Sequence, residues 1–241
     1  MAFGNGDFLK IEYDVKRVAD GALVYTTDEK KARDAGIFSE GTRYGPQLAI
    51  LGEHGKRNVI SGLDRELRQM SVGEHRRFEL EPKDAFGERN ADMVRMMPTS
   101  EFRKSEVNPY PGMQIELDGR PAVVKSVNSG RVMVDSNHPL AGERVSYEVK
   151  VLSKIDSDTD KLMELSEYYG AKADRASAEG KKATAEYGEK VDKNADYFIN
   201  KAAFIKSAFT FLGMEKVRIV EEYNRVEEAR QSSAAQIRQE P

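Results

Sequence analysis

Between residues 59 and 89 the chain reads VISGLDRELRQMSVGEHRRFELEPKDAFGER, and the spacing of its apolar residues changes within this run. Leu63, Leu67 and Met70 recur at the interval of an α-helix, after which Phe78 and Leu80 alternate as in a strand. One short helix lying on a sheet is the arrangement that satisfies both periods. Ser61 is expected to cap that helix. Asp64 falls in its first turn, where the helix dipole favours negative charge, and Gly73 lies just past its end. Asp84-Ala85-Phe86-Gly87 then breaks the strand.

Other strands surround this unit. Leu9, Ile11, Tyr13 and Val15 alternate with polar neighbours, Asp20-Gly21 supplies a turn, and Leu23 to Thr27 completes a hairpin. Asp28 to Tyr44 reads as a long irregular loop, and Leu48 to Leu51 is a short apolar run. After a helical piece at Ser100 to Lys104, Asp118-Gly119 and Asn128-Ser129-Gly130 mark two hairpins of a small separate sheet. Val145, Tyr147, Val149 and Val151 alternate as a strong strand belonging with the first sheet. Beyond Asp156 the composition becomes that of a linker. Leu162, Met163, Leu165 and Tyr169 then predict a helix; 172–187 fits a hairpin about Gly180 or a helix; Tyr197, Ile205, Phe209 and Leu212 predict one face of a helix closed by Gly213; and Val217 to Val220 reads as a strand. The Lys/Glu-rich stretches near 180–193 and 215–230 read as solvated helical faces.

A length of 241 residues predicts two or three compact units. With 38 basic against 41 acidic residues, well mixed, the net charge of -3 gives no field for phosphate backbones or anionic membranes, so nucleic acid and membrane partners are not expected. The absence of cysteine excludes disulfides, thiolate zinc sites and cysteine nucleophiles. His54, His75 and His138 are too scattered for a metal site, and no cofactor is expected. The start MAFGNGDFLKIEYD lacks the regions of a signal peptide and no stretch approaches the ~20 apolar residues of a membrane span, which predicts a cytoplasmic protein.

Taken in order, the 59–89 run resembles the heart of the FKBP-type peptidyl-prolyl cis/trans isomerases: an apolar-Ile-x-Gly turn into a short helix, "MSVG", a strand, and a loop ending in aromatic-Gly. About fifty residues then intervene before the last strand. This stretch, ending in the return Asn137-His138-Pro139-Leu140-Ala141-Gly142, is similar to the insert-in-flap domain of SlyD-like members, and the whole to archaeal long-type members. The resemblance implies an α+β fold: an FKBP-like antiparallel sheet wrapped on a short helix, an inserted small mostly-β domain, and an α+β C-terminal domain. The expected boundaries are 1–87 plus 136–155 for the isomerase domain, 88–135 for the insert, 156–230 for the C-terminal domain, and 231–241 for a flexible tail.

The same resemblance implies a prolyl pocket lined by Tyr13, Val24, Tyr25, Val59, Ile60, Leu63, Phe86 and Tyr147, with the Ile60 amide bonding a substrate carbonyl and His138 in the active-site loop. Compact members carry Phe-Asp where this chain has Val24-Tyr25, Trp in place of Leu63 and Tyr in place of Phe86. The lost carboxylate and hydroxyl imply weaker binding of FK506-like macrolides and permit a non-catalytic binding module as the alternative. Met96, Met97, Phe102, Val107, Tyr110 and Met113 crowd the insert and are expected to bind unfolded polypeptides, since unbranched methionines repack around many shapes. The partners implied are polypeptides with Xaa-Pro bonds, and a second copy through the apolar helix 195–212.

Overall fold

The computed structural model describes residues 3–52, 59–104, 106–188 and 194–223. The chain divides into two compact units, Met1–Ile155 and Asp156–Pro241.

The first unit is built on a long strand, β1 (Phe8–Arg17), which shares one edge between two short partners. Antiparallel β2 (Leu23–Thr26) pairs with its second half and antiparallel β3 (Gln47–Ile50) with its first. A helix that sequence reasoning missed, α1 (Glu29–Asp34), replaces part of the expected irregular loop; the Asp28 carboxylate caps it by accepting from the Lys31 N–H. Helix α2 (Ser61–Leu67) follows. Its N-cap is Ile60, with no side-chain cap, so Ser61 is the first helical residue rather than the cap. Leu63 and Leu67 turn inward onto the sheet, as the helical spacing required.

Strand β4 (His75–Leu80) pairs with the last strand of the unit, β9 (Val145–Ile155), which also pairs with β1 along its whole length. The sheet order is β2-β1-β9-β4, with β3 beside β1. Leu9, Ile11, Val15, Val145, Tyr147, Val149 and Val151 form one buried cluster with α2.

A second antiparallel sheet lies in sequence between β4 and β9, in the order β5-β8-β7-β6. Its members are β5 (Val94–Pro98), β6 (Gln114–Leu117), β7 (Arg120–Asn128) and β8 (Arg131–Asp135), with α3 (Thr99–Lys104) after β5. β5 had no sequence signal. The two tight turns have positive φ at both central residues, Asp118 and Gly119, then Ser129 and Gly130, as their composition demanded. Phe102, Ala122, Val124, Val132 and Val134 give this sheet its own core.

The second unit begins with α4 (Asp158–Tyr169), capped by Ser157 and ended at Gly170 with φ 73°. A hairpin, β10 (Arg175–Glu179) and β11 (Lys182–Tyr187), settles the ambiguous stretch against helix, and α5 (Ala195–Leu212) connects β11 to the parallel β12 (Lys216–Glu221). Where helical faces are expected near 180–193 and 215–230, the described residues instead form the strands β11 and β12 with turns and irregular chain beside them; 189–193, 224–230 and the tail 231–241 lie outside the described residues. The buried face of α5 is Tyr197, Phe204, Ala208 and Leu212, while Phe209 is 43% exposed, a correction to the predicted face. Among the described residues no helix is long and apolar enough to cross a membrane.

Candidate active site

Tyr13, on the inward side of β1, stacks on Tyr25 of β2 at 5.2 Å and on Tyr147 of β9 at 5.8 Å. Register explains the first contact: Tyr25 sits opposite Val15 and so points to the same face of the sheet as Tyr13. Phe78 of β4, directly across from Tyr147, lies parallel to its ring at 5.9 Å. These rings form a row across four strands, with Val59 and Leu63 buried beneath them and Val24, Ile60 and Phe86 half-buried against the same cluster. This aromatic cluster, the cup, packs on α2 and leaves part of the surface of Tyr13, Tyr25, Ile60 and Phe86 exposed.

The loop after β4 and the return into β9 complete the wall. The His138 imidazole lies flat on Phe86 at 4.5 Å and 3°. Its Nδ1 accepts from the Leu140 N–H at 3.1 Å, which fixes the neutral tautomer with the proton on Nε2. Burial against its neighbours lowers the His138 pKa and so keeps the ring neutral. The tyrosines are held protonated as well. Burial raises Tyr147 strongly, with Tyr25 adding to it; burial also raises Tyr25, partly offset by a side-chain hydrogen bond with Tyr13. The Tyr25 and Tyr147 hydroxyls and the His138 imidazole are thus held in their neutral forms.

All eight pocket residues expected from the sequence fall in one apolar cluster, and His138 joins through Phe86. Phe78 and Leu140 also pack there and were not anticipated; the alternation of Phe78 with Leu80 was the signal for the first, and the 137–142 return for the second. The six residues expected to bind peptide on the second sheet divide. Met96 and Tyr110 are 56% and 61% exposed, Met97, Val107 and Met113 are half-buried against its core, and Phe102 is core, so it is not offered to a ligand. His75 pairs with Glu148 at 3.1 Å on the opposite face of the first sheet, and His54 lies outside the described residues. Among the described residues no cluster of His, Asp and Glu could hold a metal ion.

Comparison with known proteins agrees with this geometry. A family model described as FKBP-type peptidyl-prolyl cis-trans isomerase matches residues 2–103, and one described as FKBP26, IF domain, matches residues 95–140. The short-type peptidyl-prolyl cis-trans isomerase of Methanocaldococcus jannaschii is 29% identical over 146 residues, covering 61% of this chain and 90% of that protein. The FKBP-type 16 kDa peptidyl-prolyl cis-trans isomerase of Escherichia coli (strain K12) is 31% identical over 123 residues, 49% of this chain and 82% of that one. SlyD of Vibrio cholerae is 32% identical over 113 residues, 45% of this chain and 56% of its own length. An aromatic cup on a short helix, entered through Val59-Ile60-Ser61-Gly62, together with relatives matched over most of their length, shows that the chain belongs to the FKBP-type peptidyl-prolyl cis-trans isomerases.

Proposed function

We propose that the cup is where this chain accelerates rotation about Xaa-Pro bonds of folding polypeptides, and that the second sheet is an insert-in-flap chaperone domain that holds unfolded segments near it. The observation that carries the reading is the convergence of Tyr13, Tyr25, Ile60 and Phe86, half-buried and from separate elements, onto one apolar cluster that includes the buried Leu63. The barrier to rotation, roughly 18–20 kcal/mol, is lost amide resonance, so neither an acid, a base nor a nucleophile is required. An apolar cup that holds the prolyl ring favours the twisted amide, whose dipole is weaker, over the planar one. Ile60 precedes the first turn of α2 in extended backbone, at φ -68° and ψ 155°, so its N–H has no acceptor within the helix and is available to a substrate carbonyl. The neutral Tyr25 hydroxyl stands where compact members have a carboxylate and supplies a donor in its place.

The insert reading is supported by the separate core of the second sheet, by the exposed Met96 and Tyr110, and by the match of residues 95–140 to an IF domain. Domain limits of 1–87 plus 136–155, 88–135 and 156–230 follow from it. The exposed Phe198, Ile199 and Phe209 of α5 are the surface on which two copies would pair. Weak binding of FK506-like macrolides belongs to the same cup.

The test is a refolding reaction limited by proline isomerisation. The intact chain is expected to accelerate it. Ile60→Ala and Tyr147→Phe are expected to lower kcat/KM on a short Xaa-Pro peptide, the former by roughly tenfold, equivalent to about 1.4 kcal/mol of transition-state stabilisation. Absence of any acceleration by the intact chain would refute the assignment of the cup.

A further inference from the structure

Two single strands of chain join the second sheet to the cup: Phe86 to Asn90 leading out and Asp135 to Gly142 leading back. Side chains and backbone zip them together. Val94 pairs with Asp135 at the end of the second sheet, and the Ser136 N–H donates to the Met93 carbonyl at 3.0 Å. Below this, the Asn137 side chain spans the Asn90 backbone. Its Oδ1 accepts from the Asn90 N–H at 2.9 Å, and its Nδ2 donates to the Asn90 carbonyl at 2.9 Å and to Asp135 Oδ1 at 2.7 Å. An amide alone offers both an acceptor and two donors in this geometry. Asp135 is 4% exposed, and its carboxylate is satisfied by Arg89 and by the Asn137 N–H at 3.0 Å. Lower still, the Gly142 N–H donates to the Gly87 carbonyl at 2.8 Å, with Gly142 at φ 80° and an added side chain there set to meet Arg89 at 3.4 Å. The zip ends where His138 meets Phe86.

We propose that Asn137, with Arg89 and Asp135, is a positioning clasp: it holds the return segment so that His138 stays stacked on Phe86, and thereby fixes one wall of the cup from the junction that carries the second sheet. This deepens the reading of the cup as the isomerase site and rests on it. None of the three residues needs to touch the substrate. Single-strand linkers permit relative motion by default, and here the bonds are placed at successive levels on both linkers, which opposes it. Asp135 is suited to the task because burial, which raises its pKa, is outweighed by the bonds from Asn137 and Arg89, so it remains ionised and acts as a permanent acceptor.

The experiment uses the full chain, its Asn137→Ala variant and, in case Asn137→Ala fails to fold, Arg89→Ala, whose side chain is 48% exposed. Two quantities are measured: kcat/KM for cis/trans exchange of a short Xaa-Pro peptide, and the titration of the His138 imidazole by nitrogen NMR. The expected result is a fall in kcat/KM of about three- to tenfold, carried mainly by kcat, with the His138 pKa moving up toward its ordinary 6.5 as the ring leaves Phe86. A variant that folds with an unmoved His138 titration overturns the proposal, whatever its rate. If the unaltered chain shows no turnover, the reading of the cup fails, yet the titration still decides the clasp.

Discussion

A methyl group added to Gly62 would stand 2.7 Å from the Asp84 carbonyl oxygen and 2.7 Å from a Leu80 methyl. No positive φ is involved; the helix simply begins too close to the loop after β4 for any side chain at that position. Val59 and Ile60, three and two positions before it, belong to the cup, so the glycine determines how deep the floor can sit. Gly62→Ala is accordingly expected to destabilise the first unit by about 1–3 kcal/mol, the usual result of forcing an extra methyl into a packed site. Denaturant unfolding followed by the ring signals of Tyr147 or Phe78 would measure it. An unchanged midpoint would mean that Leu80 and Asp84 yield freely and that the floor is not fixed in this way.

The same dependence on a few contacts holds between elements. In the second unit α5 is tied to β12 through Glu221, whose carboxylate accepts from the Tyr197 hydroxyl at 2.5 Å, from the Tyr223 hydroxyl at 2.9 Å and from the Lys201 ammonium. Lys201 also lies over the rings of Tyr197 and Phe198, at 4.8 and 4.7 Å. Burial raises the Glu221 pKa, but the bonds from Lys201, Tyr197 and Tyr223 outweigh it and hold the group at about 2. The folded carboxyl is thus the stronger acid. Its stabilising effect is complete above its ordinary pKa of 4.5 and is lost as the pH falls through about 2. Glu221→Gln is expected to cost the unit about 1–3 kcal/mol at neutral pH, because a mostly buried ammonium loses its counter-charge. The same change should flatten the acid limb of a thermal unfolding series. An equally steep limb in the variant would assign the acid sensitivity elsewhere.

These elements also show what the sequence could and could not reveal. β1 and β9 were legible because one face is core and the other is not, which writes a period of two into the chain. α1 buries only Ala32, so its five charged residues carried no periodic signal. β5 is a five-residue strand that buries no residue fully. α5 was found but its face was misread: Tyr197, Phe198, Ile199, Phe204, Ile205, Phe209 and Phe211 surround the helix, so spacing alone does not choose a side. That the residues of the 59–89 run share one apolar cluster was legible through an ordered motif, whereas the contacts of Arg89, Asp135 and Asn137 were not, since their partners are brought together only when both linkers fold.

At the scale of the whole molecule, the described residues of the first unit include two hydrophobic clusters that share no buried residue, one under the cup and one within the second sheet. Cores that share no buried residue can be parted without opening either, provided the junction is kept. Replacing residues 91–134 with a short glycine loop preserves Arg89, Asn90, Asp135 and Asn137, and the contact of Asn137 with Asn90 shows that the ends to be joined already lie close together. If the second sheet acts by raising the local concentration of unfolded chain beside the cup, its removal leaves turnover of a short peptide within about twofold and lowers the rate on a refolding protein by roughly ten- to a hundredfold. Beginning the same deletion at Asn90 removes the backbone that Asn137 spans, so short-peptide turnover falls as well. Equal loss on both substrates in the first variant would contradict the two-site model, because a detachable holding site has no means of slowing a peptide too small to reach it.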